Sequence, residues 1–93
     1  MAGISVVMTP LLVEGVRVGV QARDGNSGAL MATAKQVAFD QEDESLVVEE
    51  IHYSSVGAVT YRGKLFFDFG GHLLKEQPIE GHKQWSIFRR WSL

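Results

Sequence analysis

The chain carries three histidines, His52, His72 and His82, the side chains best suited to bind a metal ion or act as a base near neutral pH. Glu49 and His52 are three residues apart, a spacing that places them on opposite faces of a strand. Asp68 and His72 flank a Gly-Gly turn, and the sequence contains no His-x-His or His-Glu-x-x-His motif. We therefore predict no metal site and no cofactor.

Nucleophilic catalysis would require a serine, a base and an orienting acid in one place. Ser54 and Ser55 follow His52 closely, but no Gly-x-Ser-x-Gly elbow surrounds them. The loop 24–28 could precede a helix N-terminus, yet it lacks the lysine and the serine or threonine of a phosphate-binding loop. These patterns are typical of polar surface residues, so we predict that the protein is not an enzyme and has no catalytic residues.

The C-terminal segment 82–91 mixes tryptophan, phenylalanine and arginine, the residue types enriched at the energetic centres of protein interfaces. The same types also suit base stacking combined with phosphate contact. On a strand, Arg89 would share a face with two tryptophans, and a buried unpaired guanidinium is costly. Either the segment is a core strand with Arg89 paired internally, or it is a contact surface formed by Trp85, Phe88, Arg89, Arg90 and Trp91.

Charge is unevenly distributed along a chain whose formal net charge is −2. Residues 40–50 carry six acidic side chains and no basic one, whereas residues 51–93 are mildly basic. Such a run usually forms a solvated loop, but it could also meet a basic partner. We therefore add its first four acids to the predicted partner-binding residues: Asp40, Glu42, Asp43 and Glu44.

Hydrophobic periodicity predicts the elements that position these residues. Residues 4–13 and 16–23 are expected to form a hairpin, because Val16, Val18 and Val20 alternate with polar residues. Residues 29–39 are expected to form a helix, because apolar residues recur there at helical spacing and several are alanine.

Further strands are expected at 46–53, 56–61 and 64–69, with Arg62-Gly63 as a hairpin turn, followed by 72–75 and a last strand at 83–91. The predicted fold class is α+β, a mainly antiparallel sheet of order ββ-α-ββββ with one packed helix around residues 29–39. The predicted core consists of Val16, Val18, Val20, Leu30, Val37, Leu65, Phe67 and Phe69.

Length and composition indicate what kind of domain the chain forms. A chain of 93 residues with 45% hydrophobic residues is predicted to form a single small globular domain, residues 1–93. The absence of cysteine excludes disulfides and favours the cytoplasm, and no apolar stretch approaches the roughly 20 residues that cross a bilayer.

We predict a small non-enzymatic protein-binding module, such as an inhibitor, an immunity factor or an accessory subunit. Its expected partner is another protein, and an exposed sheet edge makes a homodimer possible. The alternative is a weak single-stranded nucleic-acid binder that uses the C-terminal strand, although net acidity disfavours this partner.

Overall fold

The computed structural model describes residues 5–87, which form one antiparallel sheet. The strands are β1 (Val6–Val13), β2 (Val16–Asp24), β3 (Leu30–Asp40), β4 (Ser45–Tyr53), β5 (Val59–Phe67) and β6 (Leu73–Gly81). Their spatial order follows the chain, so each strand pairs with its neighbours in sequence. Residues 82–87, which we call the arm, follow β6 and return over one face of the sheet. Within residues 5–87, no helix has the length and apolar character needed to span a membrane.

The predicted α+β fold with a helix around residues 29–39 is wrong, because this segment forms β3 in an all-β sheet. The same residues also fit a period of two, since Ala32 and Ala34 are fully buried while Met31 and Thr33, which alternate with them, are only partly buried. β3 pairs with β2 on one side and with β4 on the other. This pairing outweighs the small intrinsic preference of alanine for helix.

The register of the sheet defines an inner and an outer face. Ala34 lies opposite Val20 on one side and Glu50 on the other, and all three side chains belong to the inner face. The core on this face consists of Val20, Ala22, Ala32, Ala34, Val48, Leu65, Phe67 and, from the arm, Ile87. The adjacent row, which contains Lys35 and Glu49, points to the outer face.

The core prediction is correct for Val20, Leu65 and Phe67 and wrong for three other residues. Those three are exposed: Val16 (63%), Val37 (49%) and Phe69 (66%). Pairing between β2 and β3 ends at Gly19 and Lys35, so Val16 and Val37 lie beyond the paired region. Phe69 lies in the turn between β5 and β6. The two remaining predicted core residues, Val18 and Leu30, are partly buried.

The expected hairpin turn at Arg62-Gly63 is also wrong, because both residues lie inside β5. A Cβ atom on Gly63 would lie 2.2 Å from the Tyr61 hydroxyl oxygen and 3.1 Å from the Gln77 carbonyl oxygen. Glycine is therefore needed here for close packing rather than for a turn. The predicted last strand is wrong over 83–87, which lie in the arm, and residues 88–91 fall outside the described residues.

Substituting Gly63 with alanine tests this packing. Gly63→Ala is expected to lower the free energy of unfolding by about 1–3 kcal/mol, because the new methyl group overlaps the buried Tyr61 ring. Adding Tyr61→Phe removes the nearest atom, a hydroxyl without a hydrogen-bond partner, and should restore part of the loss. Denaturant unfolding of the two single variants and the double variant measures the coupling. Strictly additive effects would contradict this explanation.

Candidate functional site

Glu50 is a fully buried carboxylate on the inner face of β4. Its cross-strand neighbours, Ala34 of β3 and Gly63 of β5, are small. His52 Nε2 lies 2.7 Å from Oε2 of Glu50, and the backbone N–H of Ile87 donates to the same oxygen at 3.2 Å. Because Glu50 accepts, the proton of this contact belongs to His52 Nε2. The backbone donor comes from the arm, so Glu50 joins the arm to the centre of the sheet.

Lys83 of the arm completes the surroundings of Glu50. Its Nζ donates to Oε1 of Glu50 at 2.7 Å and also forms an ion pair with Glu76 of β6. The ammonium lies 5.1 Å from the centroid of the Tyr61 ring, in cation–π geometry. Glu50, His52, Glu76 and Lys83, which we call the buried cluster, thus link β4, β6 and the arm.

The hydrogen bonds of the buried cluster shift two pKa values. Burial by itself raises the pKa of Glu50, but hydrogen bonds from His52, Lys83 and Ile87 outweigh burial and hold it below its ordinary value of 4.5. Burial lowers the pKa of Lys83, but hydrogen bonds to Glu50 and Glu76 outweigh it and raise it above 10.5. Both shifts favour the charged forms of Glu50 and Lys83, so the ion pair stays charged across the neutral range.

Aromatic rings enclose His52. The Tyr61 ring lies edge-on at a centroid distance of 5.6 Å, and the Trp85 ring lies at 4.9 Å. Trp85, predicted to contact a partner, is partly buried and packs against the core. The other predicted contacts of this segment, Phe88, Arg89, Arg90 and Trp91, lie outside the described residues.

A histidine oriented by a carboxylate resembles the base of a hydrolase, but its surroundings here are different. Within residues 5–87, no serine or threonine hydroxyl hydrogen-bonds to His52, and no three potential metal ligands cluster together. The effect of the buried cluster is to hold the arm on the sheet. Sequence reasoning missed it, although Glu50 and His52 are two residues apart, a spacing that places both side chains on one face of a strand.

The predicted acidic residues lie together in the turn between β3 and β4. Asp40 Oδ1 accepts the backbone N–H groups of Glu42 at 3.0 Å and Asp43 at 3.3 Å, so Asp40 shapes the turn. Glu42, Asp43 and Glu44 are exposed to solvent. The structure thus places three of these four carboxylates where a partner could reach them.

Exposed apolar side chains concentrate at the end of the sheet that carries this acidic turn. The turns at 14–15, 41–44 and 68–72 lie at the same end of the sheet because the strands alternate in direction. Eleven large apolar side chains of residues 5–87 are exposed, and seven of them lie near these three turns. They are Leu12, Val13, Val16, Val37, Phe39, Phe69 and Leu74. We call the three turns and these seven residues the acidic apolar end.

Comparison with protein-family models, with curated proteins and with solved structures found no match. Function is therefore inferred from the chemistry of these surfaces.

Removing the charge of Glu50 tests the buried cluster. Glu50→Gln should lower the free energy of unfolding by about 3–5 kcal/mol, because Lys83 and His52 lose a buried charged acceptor. The matched control is Glu49→Gln, the same change one residue earlier on the outer face, which should cost no more than about 0.5 kcal/mol. Thermal and urea unfolding measure both. Equal costs would show that the cluster does not stabilise the fold.

The depressed pKa of Glu50 predicts the sign of a pH effect. A group with a lowered folded-state pKa stabilises the fold above its ordinary value, and this contribution is lost as pH falls through the folded pKa. The difference in unfolding free energy between wild type and Glu50→Gln should therefore be largest near pH 7 and decrease below about pH 4.5. Urea unfolding at a series of pH values measures it. A difference independent of pH would rule out this linkage.

Proposed function

We propose that the protein is a small non-enzymatic protein-binding module that docks a partner against its acidic apolar end. The supporting observation is that seven of the eleven exposed large apolar side chains of residues 5–87 lie around three turns, two of which carry the exposed carboxylates of Glu14 and of the 41–44 turn. A contiguous exposed apolar surface typically marks an interaction site, and the stacking of Phe39 on Phe69 joins two of the three turns in this way.

The centre of the proposed interface is an aromatic pair. The rings of Phe39 and Phe69 stack with centroids 5.5 Å apart and an interplanar angle of 21°. Phe39 precedes Asp40, and Phe69 follows Asp68, whose Oδ1 accepts the N–H groups of Gly70 and His72, each at 2.9 Å. Both rings are therefore attached to turns fixed by aspartate hydrogen bonds. A partner would bury them at a small cost in conformational entropy.

The surrounding charge selects the kind of partner. Exposed carboxylates of the 41–44 turn follow Phe39 closely in the chain, and Glu14 is exposed at the same end of the sheet, so a second copy docking through this end would bring like charges together. A different protein with lysine or arginine around an apolar pocket is complementary to this surface. An inhibitor or an accessory subunit would use such a contact.

Backbone conformation supports the same assignment. Glu14 (φ 51°) and Glu44 (φ 50°) are the two non-glycine residues with positive φ in the part of the chain that the structure describes, and both lie at this end. A side chain in the left-handed region costs about 1–2 kcal/mol relative to the right-handed one. A carboxylate at these two positions, where glycine would be less strained, is consistent with a role for the charge.

The aromatic pair gives the sharpest test. Replacing Phe39 and Phe69 together by serine should reduce partner capture at least tenfold, because large aromatic anchors dominate interface energies. The matched control replaces Val56 and Val59, which are exposed at the opposite end of the sheet, by serine. Wild type and both variants are immobilised and incubated with host lysate. The retained proteins are quantified by mass spectrometry.

A protein retained by wild type and by the control, but not by the aromatic variant, supports the proposal once the purified pair binds with the same pattern. If both variants retain the same proteins in the same amounts, the acidic apolar end is not the interface.

Glu44→Gly separates stability from binding. Relief of the left-handed strain, partly offset by the greater flexibility of glycine, should raise the free energy of unfolding by about 0.5–1 kcal/mol. Loss of the charge should slow association with the partner at low salt and have less effect at high salt. Stopped-flow association at two salt concentrations and urea unfolding measure the two effects. Unchanged association at both salt concentrations would remove Glu44 from the interface.

A further inference from the structure

The outer face of the sheet concentrates basic side chains. Residues 5–87 contain seven lysines and arginines, and strand alternation places five of them on this face: Arg23, Lys35, Arg62, Lys64 and Lys75. Of the eleven acidic residues in the chain, three share the face, Asp40, Glu49 and Glu80. We call this surface the basic face. It carries a net positive charge although the chain as a whole carries −2.

The charges on the basic face form rows across the strands. Lys35, Glu49, Lys64 and Gln77 pair in succession from β3 to β6. Neighbouring strands are about 4.8 Å apart, so Lys35 and Lys64 lie about 10 Å apart across Glu49. Two residues along β5, Phe66 lies opposite Lys75, whose Nζ is 4.5 Å from the ring centroid. The face therefore places an aromatic ring and an ammonium group next to a row that contains two further lysines.

A ligand complementary in charge to the basic face is a polyanion. The apolar residues on the face indicate which kind of polyanion fits. Ile51 and Phe66 lie among the basic side chains and are partly exposed. In a duplex the base faces are stacked on one another, so these two side chains would gain little from it. A single strand presents unstacked bases together with its phosphates, and bases stack readily on an aromatic ring.

We propose that the basic face binds single-stranded nucleic acid, with phosphates near Lys35, Lys64 and Lys75 and a base against Phe66. This surface lies on a face of the sheet, whereas the proposed protein interface lies at one end, so the two activities are independent. Affinity is modest and falls steeply with salt, because the binding energy comes largely from phosphate neutralisation.

A pair of substitutions with identical chemistry tests the location. Gln77→Glu adds a negative charge on the basic face opposite Lys64, and Gln41→Glu adds the same charge in the β3–β4 turn. Fluorescence anisotropy of a labelled 20-nucleotide single strand at about 50 mM salt should show a loss of about fivefold or more for Gln77→Glu and less than about twofold for Gln41→Glu. Lys64→Ala should also reduce the slope of log affinity against log salt by about 0.7.

A second set of measurements tests the class of ligand. Phe66→Leu keeps an apolar side chain but removes the stacking surface, and it should weaken single-strand binding about fivefold or more. Unlabelled single strand should compete better than a duplex of equal length or heparin at equal charge concentration. Melting temperatures of all variants verify that each is folded.

Loss of affinity in Gln77→Glu and Phe66→Leu but not in Gln41→Glu supports the proposal. Equal competition by heparin, with no effect of Phe66→Leu, would replace it with general anion binding. No binding by wild type, or equal effects of the two glutamine substitutions, would overturn it. None of these results depends on whether Phe39 and Phe69 bind a protein.

Discussion

The structure depends on the burial of one carboxylate. Glu50 lies on a central strand with no solvent exposure, and an unpaired charge there would cost several kcal/mol. β4 itself supplies His52, but the ammonium comes from Lys83, which follows the last strand. The chain after β6 must therefore return across the inner face of the sheet. The ion pair thus dictates the path of the arm.

The returning arm solves a problem common to small single sheets. A sheet with one apolar face needs a second layer to cover it. The arm brings Ile87, fully buried, and Trp85 onto that face, where they pack against residues of several strands. Burial of a side chain the size of Ile87 is worth about 2 kcal/mol. Apolar packing and the buried ion pair therefore act on the same few residues, and each keeps the other in place.

The same arrangement sorts the charged residues onto different surfaces. On the inner face, Glu50 and Lys83 form an ion pair with each other. The outer face is basic, and one end carries carboxylates beside exposed aromatic rings. The net charge of −2 is therefore a poor guide to what each surface attracts. A molecule with opposite charge on separate surfaces can attract a basic partner and an acidic one without competition between them.

Sequence patterns located only part of the candidate sites. The acidic residues Asp40 to Glu44 stand out in the sequence, and the structure places most of them in solvent. The stacking of Phe39 on Phe69 could not be predicted, because thirty positions separate the two rings and only the turns of the meander bring them together. The basic face was also missed, since its lysines and arginines come from four strands and form no run along the chain.

The sequence by itself determined the strands whose alternation has no competing period, such as Val16 to Ala22, together with the acidic turn and the absence of disulfides. Tertiary structure decided the rest. The alanine-rich segment of β3 fits both a helix and a strand, and strand partners on both sides select the strand. The sequence around Gly63 is typical of a turn, and only the structure shows that glycine is needed there because the Tyr61 side chain packs against it. The physical reason is that pairing and burial energies depend on residues distant in sequence, whereas local preferences differ by less than about 1 kcal/mol per residue.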